Sequence, residues 1–224
     1  DAAPYGTGHI NDTYACDWRV HDKTSRFILQ RINHNVFKNP PQLMENISRV
    51  TSFLGERIAK IPGSEPDRET LTIIPTRDGQ RFHQDEQGNF WRIYIFIRAA
   101  QTFDICTQPG QAYEAAKMFG KFQCMLADLP GSRLHDTIPF FHHTPRRFEI
   151  LEKAIEKDEH NRATSARAEI DFALRSKPLS TVVSDLIASG RMPERITHND
   201  TKVNNVMIDD ATGRGICVID LDTV

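Results

Sequence analysis

The sequence predicts an α+β fold, with an antiparallel sheet in its first part and mostly helices after it. Three observations carry this expectation. Up to about residue 98, short apolar runs alternate with Gly-, Asn- and Asp-containing turns, as in meandering strands. From Pro109 to Gly190 apolar residues instead recur every three or four positions, as on helix faces. The closing stretch, Ile196 to Val224, returns to two short apolar runs joined by a turn. The expected division is therefore residues 1–98 and residues 99–224.

Taken in order, Tyr5-Gly6-Thr7-Gly8-His9 forms a Gly-rich turn. The missing Cβ atoms of Gly6 and Gly8 would let backbone N–H groups approach a phosphate, although a plain hairpin turn would use the same glycines. A strand runs from Asn11 to Val20, His21-Asp22-Lys23 turns the chain, and Phe27–Ile32 forms the next strand. Asn39-Pro40-Pro41 has the form of an N-cap followed by first-turn prolines, and Leu43, Ile47, Val50 and Leu54 then make a helical stripe. Residues 71–74, 81–84 and 90–97 read as three more strands, separated by Asp78-Gly79 and Gly88-Asn89 turns. The last of these, FWRIYIFI, is apolar on both faces and belongs in the middle of a covered sheet. The sum is a five- or six-stranded antiparallel sheet with one helix.

Beyond a connecting segment at 98–103, Pro109 opens a core helix with Ala112, Ala116, Phe119, Phe122, Leu126 and Leu129 as its apolar face; Pro130-Gly131 ends it. Met118 and Met125 read as packing residues. Further helical patterns cover 146–157, 161–174 and 178–189, with Gly190 as a stop. The loop at 138–147 contains His142 and His143. Adjacent histidines do not share a side-chain direction, so they do not suggest a metal site.

Composition narrows the class. The chain has 224 residues, 39% hydrophobic and 26% charged, which is ordinary for a globular protein. A net charge of −2 leaves no basic footprint for nucleic acid. No apolar run is long enough for a membrane span, and the start, DAAPYGTG, has no secretory pattern. Cys16, Cys106, Cys124 and Cys217 are scattered with no C-x-x-C pair, as expected of reduced thiols in a cytoplasmic protein.

The chemistry concentrates in ITHNDTKVNNVMIDDATGRGICVIDLDTV. His198, Asp200 and Asn205 have the spacing H-x-D-x-x-x-x-N; the run Val206–Ile208 follows at once, and Ile216–Ile219 then delivers Asp220. An acid and an amide at one end of a short hairpin, with a second acid returning beside them, suits phosphoryl transfer. Asp200 would position an acceptor hydroxyl and take its proton. Asn205 and Asp220 would hold Mg2+, and Lys202 could meet the transferring phosphate as a point charge. Capping and strand-end solvation are the structural uses of the same residues.

HNDTKVNN, VIDLDTV, GTGHINDTY and FILQRIN resemble the aminoglycoside phosphotransferase and choline kinase family, and most of all its bacterial N-acetylhexosamine 1-kinase branch. The resemblance spans nearly the whole chain. It implies a protein-kinase-like two-lobed fold: a nucleotide-binding lobe over 1–98 and, over 99–224, a partial helical lobe with the catalytic loop and metal-binding hairpin. It also implies ATP and Mg2+ as cofactors and a small-molecule sugar acceptor as partner, with choline, ethanolamine, homoserine or an aminoglycoside as alternative acceptors. A nucleotide-binding pseudokinase is the alternative of another class. The third strand of this fold offers a cation to the nucleotide phosphates, and Arg31 is the match here; a surface strand arginine is the other reading. Glu45 is the acid on the following helix that could pair with it. Asp222 stands where protein kinases have the Gly of D-F-G, which would add a carboxylate near the metal or substrate. From Arg146 to Arg195 ten Lys/Arg face nine Asp/Glu, so no acidic pocket for a polycation is evident. Because the chain stops two residues past Asp222, a truncated C-terminal lobe is expected.

Overall fold

The computed structural model describes every residue except Thr7 and His9, and only the backbone of Val20. Strands β1 (Ala2–Pro4), β2 (Asp12–Val20), β3 (Lys23–Ile32), β4 (His83–Gln84) and β5 (Phe90–Ile95) form an antiparallel sheet in the order β1-β2-β3-β5-β4. Between β3 and β4 lie helices α1 (Pro40–Ile58) and α2 (Pro66–Glu69). α1 starts where its N-terminal signal placed it. Asn39 accepts a hydrogen bond from the Gln42 amide at 3.3 Å, and the prolines occupy positions whose N–H groups need no helical partner. Its inner face buries Leu43, Ile47, Val50 and Leu54, joined by Met44 and Ile58. Ile32, Ile73 and Tyr94 belong to the same core.

Two strand expectations change. Residues 71–74 supply only an isolated bridge from Ile73 to Tyr94, with Ile74 N–H on Ile93 O at 2.9 Å and Ile95 N–H on Thr72 O at 3.0 Å. The next residue, Pro75, has no N–H to extend the ladder. The 81–84 run shrinks to His83–Gln84. The fifth strand comes instead from Ala2–Pro4, an exposed segment with no apolar signal.

Helix α3 (Pro109–Met125) forms as expected, but its buried face is Ala115, Met118 and Phe122, continued by Leu126. Ala112 and Ala116 are exposed. Alanine fits either face of a helix, and the larger Met118 decides which one turns inward. Strands β6 (Ala100–Gln101), β7 (Val206–Asp209) and β8 (Gly215–Val218) make a second antiparallel sheet, with β7 and β8 as the expected hairpin.

The chain separates into two units, Asp1–Ile138 with Ile196–Val224, and Pro139–Arg195. The expected boundary near Arg98 falls inside the first, because β6 pairs with the returning β7. The second unit holds α4 (Thr144–Lys157), α5 (Arg167–Arg175) and α6 (Val182–Ala188). Gly190, with φ +71, stands just past the last of these. Phe172 and Leu179 of this unit are exposed. Among the described residues no helix is long and apolar enough to cross a membrane.

Candidate active site

The loop leading into β7 is built around His198. Its ring is buried, with the aromatic edges of Phe119 and Phe122 against it. Nε2–H donates to the Ile219 carbonyl at 2.7 Å, and Nδ1 accepts the Asp200 amide at 3.2 Å. One imidazole thus ties the residue before one acid to the backbone of the other. Burial lowers its pKa and keeps the ring neutral, as this bonding pattern requires.

Asp200 and Asn205 come together as their spacing suggests. A 3₁₀ turn at Val203–Asn205 points the Asn205 side chain back, so that Nδ2 donates to the Asp200 backbone oxygen at 2.8 Å and to Oδ2 at 3.2 Å. Asn205 Oδ1 makes no hydrogen bond with any described residue, so the one atom of this side chain able to ligate a cation is uncommitted. Lys202 Nζ lies 2.9 Å from Asp200 Oδ2, and both side chains reach solvent.

Asp220 follows β8 in the left-handed conformation, φ 59 and ψ 58. Only short polar residues and glycine tolerate that region well, and strain there is common at functional sites. Its carboxyl is open to solvent on one side and hemmed in by protein on the other. That desolvation, and then the Asp222 charge, raise its pKa to about 6. No described residue donates a hydrogen bond to it. The two acids sit on connected backbone: Ile219 N–H bonds Asn205 O at 2.9 Å, Asn199 Nδ2 bonds Thr223 O at 2.7 Å, and the Thr223 hydroxyl bonds His198 O at 2.7 Å.

Asp222 is no open ligand. It is buried and paired with Arg92 of β5, Oδ1 to Nη1 at 2.6 Å and Oδ2 to Nη2 at 3.0 Å. Asn11, at the end of the Gly-rich turn, donates to Oδ2 at 2.6 Å. Arg92 Nε also bonds Gln30 Oε1 at 3.0 Å. Arg92 is the site residue that sequence reasoning missed. Its signal was present: a lone charge in an otherwise apolar central strand needs a buried partner.

Arg31 is on the other face. Register places Gln30 opposite Arg92 and Arg31 opposite Trp91, so strand alternation turns Arg31 away from Asp222. It is paired with Asp12, Nε to Oδ2 at 2.7 Å, and about half exposed. Glu45 does not pair with Arg31; its Oε2 lies 2.9 Å from His135 Nε2. Gly6 and Gly8 lie in the β1–β2 connection with open space where a Cβ would be, and Gly6 has φ +82. Thr7 and His9 of the same turn lie outside the described residues.

Cation binding here has few protein donors. No group of three or more His, Cys, Asp or Glu side chains able to hold a metal exists among the described residues. An amide oxygen and one carboxylate fit Mg2+ shared with nucleotide phosphates, because that ion keeps several waters and takes one or two protein carboxylates.

The fold agrees with the family comparison. Residues 1–224, the whole chain, match the phosphotransferase enzyme family (APH), and the chain belongs to that family. Three solved structures share its kinase-like α+β fold. Spectinomycin phosphotransferase with ADP and spectinomycin has a TM-score of 0.51 and 15% identity over 100% of this chain and 63% of its own. Amicoumacin kinase in complex with AMP-PNP, Ca2+ and its ligand has a TM-score of 0.61 and 10% identity over 99% and 58%. An aminoglycoside phosphotransferase from Alicyclobacillus acidocaldarius has a TM-score of 0.56 and 13% identity over 98% and 61%. The chain therefore spans about three-fifths of the length of each.

Proposed function

We propose that the protein is an ATP-dependent small-molecule kinase that phosphorylates the anomeric 1-hydroxyl of an N-acetylhexosamine. The observation that carries the kinase chemistry is the Asp200–Asn205 contact on a loop that His198 ties to the backbone just before Asp220, whose carboxyl accepts no hydrogen bond from a described residue. The sugar rests on the resemblance of HNDTKVNN and VIDLDTV to N-acetylhexosamine 1-kinases. Residues 1–98 would form the nucleotide lobe, and residues 99–224 the lobe bearing the catalytic loop.

In this reading Asp200 Oδ2 orients the acceptor hydroxyl and takes its proton as the oxygen attacks the γ-phosphorus. The bond from phosphorus to the β–γ bridging oxygen breaks, and ADP leaves. An anomeric hydroxyl is more acidic than an ordinary alcohol, so a carboxylate base suffices. Asn205 Oδ1 and Asp220 would hold Mg2+, which neutralises phosphate charge when bound. Lys202 would exchange its ion pair with Asp200 for the transferring phosphate, and Gly6 and Gly8 would admit phosphate to backbone N–H groups. A phosphate role for Arg31 requires displacing Asp12. The exposed free thiols Cys106 and Cys124 suit a reducing cytoplasm, where ATP is available.

An antibiotic acceptor is the second reading, supported by neighbours solved with spectinomycin and amicoumacin. ADP release by the full-length protein, with ATP, Mg2+ and a panel of N-acetylglucosamine, N-acetylgalactosamine, choline, ethanolamine, homoserine, spectinomycin and kanamycin, separates them. Turnover confined to the N-acetylhexosamines, with phosphate at the 1-position, is expected. Turnover on an amine or antibiotic alone would discard the sugar and keep the chemistry. Nucleotide binding without turnover on any acceptor would point to a pseudokinase. Asp200→Asn should lower turnover by at least about a hundredfold while nucleotide binding persists.

A further inference from the structure

We propose that Arg92 is a positioning residue for the cation site: it ties up Asp222 so that Asp220, held at a fixed place, is the one carboxylate of this turn that meets the metal beside Asn205. This rests on the phosphoryl-transfer reading above.

Asp222 is two residues from Asp220 and has the same chemistry, yet the two acids live in opposite circumstances. Asp222 carries three hydrogen bonds on its two oxygens, from Arg92 Nη1, Arg92 Nη2 and Asn11 Nδ2, and is buried with Arg92. Its backbone is held as well, since the Thr137 hydroxyl donates to Asp222 O at 2.7 Å. Two residues on, Val224 O accepts from Nδ2 of the buried Asn46 at 3.0 Å. Asp220 accepts nothing from a described residue and faces solvent. Left uncompensated, two neighbouring carboxylates would both attract a divalent cation. Pairing one of them with a fixed guanidinium leaves a single carboxylate of the turn for the cation.

The anchor is also rigid. All three guanidinium nitrogens of Arg92 are engaged, the third by Gln30, whose own Nε2 donates to Thr13 Oγ1 at 2.9 Å. Arg92, Gln30 and Thr13 stand on β5, β3 and β2, three adjacent strands of the first sheet. A site held by sheet residues is more constant in geometry than one held by loops. Stability alone does not call for this device, because a well-packed apolar pair of similar size commonly serves as well as a buried ion pair. Its place beside the cation-binding acid gives it a purpose: an outer partner that orients a ligand changes metal affinity or activity by about 10- to 100-fold when removed.

The test uses the full-length protein and Mn2+ as probe. Free Mn2+ is counted by electron paramagnetic resonance with a non-hydrolysable ATP analogue present, alongside thermal melting and steady-state kinetics. The charge-neutral double variant Arg92→Met/Asp222→Asn should fold and bind the analogue. Its Mn2+ affinity should fall about tenfold or more, and kcat should fall with it. Wild-type Mn2+ affinity and kcat in that variant would reduce Arg92 to a structural strut and overturn the proposal. If the double variant fails to fold, Arg92→Lys decides, since it keeps the charge and loses the two-pronged geometry. Weakened Mn2+ binding at a near-native melting temperature supports positioning; unchanged binding overturns it. Asp220→Ala is run in parallel. Full Mn2+ affinity and turnover there would instead refute the metal role of Asp220, and with it the underlying reading.

Discussion

Arg31 and Arg92 sit on neighbouring strands, one register step apart, each with an aspartate partner, and they differ in almost everything that matters. Arg31 and Asp12 are both about half exposed. Arg92 and Asp222 are almost wholly buried. Strand alternation alone separates them: a residue shifted by one position crosses to the other face of the sheet. The same two functional groups form a solvated surface contact on one side and the link between sheet and acidic turn on the other.

The largest test of this contrast is Arg92→Met, which strands the Asp222 charge in the interior. A loss of about 3–5 kcal/mol in unfolding free energy is expected, read from denaturant melts. A loss below about 1 kcal/mol would mean that the pair is not buried in solution. The Arg68–Asp209 pair, at 2.8 Å and with Arg68 about a quarter exposed, lies between the extremes. Arg68, with Thr212, holds the Asp209 carboxyl down at about 2. A depressed carboxylate adds stability above its unfolded pKa of about 4, and that stability is lost as pH falls toward about 2. Asp209→Asn should therefore flatten the acid limb of the melting-temperature profile between about pH 4 and pH 2, and an unchanged limb would contradict the pairing. Smallest of all, Arg31→Ala should cost about 0–1 kcal/mol, an effect that shrinks further in high salt. The same variant measures the phosphate role: a rise in KM for ATP of about tenfold would put Arg31 on the nucleotide, and an unchanged KM would leave it on the sheet surface.

What could be read from sequence followed the range of the interaction. Asp200 and Asn205 are five residues apart, and a short loop before a strand leaves few ways to arrange them. The hairpin and the N-cap of α1 are equally local, and they formed as expected. The face buried by α3 was read in the main: Met118, Phe122 and Leu126 are buried and Phe119 and Leu129 pack on the core, whereas Ala112 and Ala116, which fit either face, are exposed. Strand β1 carried no apolar signal because it is exposed on both faces. The Arg92–Asp222 pair spans 130 positions, and only the fold brings its partners together. Arg31 lies in the third strand where the motif puts it, and its pairing with Asp12 was not legible because the two are 19 positions apart and meet only through strand register.

The histidine in the loop leading into β7 imposes a chemical boundary on the whole arrangement. His198 donates through one nitrogen and accepts through the other, so it can do both only while neutral. Adding a proton would set a second N–H against the Asp200 amide and remove the acceptor that anchors it. Since burial favours the neutral ring, the loop keeps its shape through the neutral range and loses it only on acidification. The protein thus carries an acid limit for its own architecture, set by one buried imidazole.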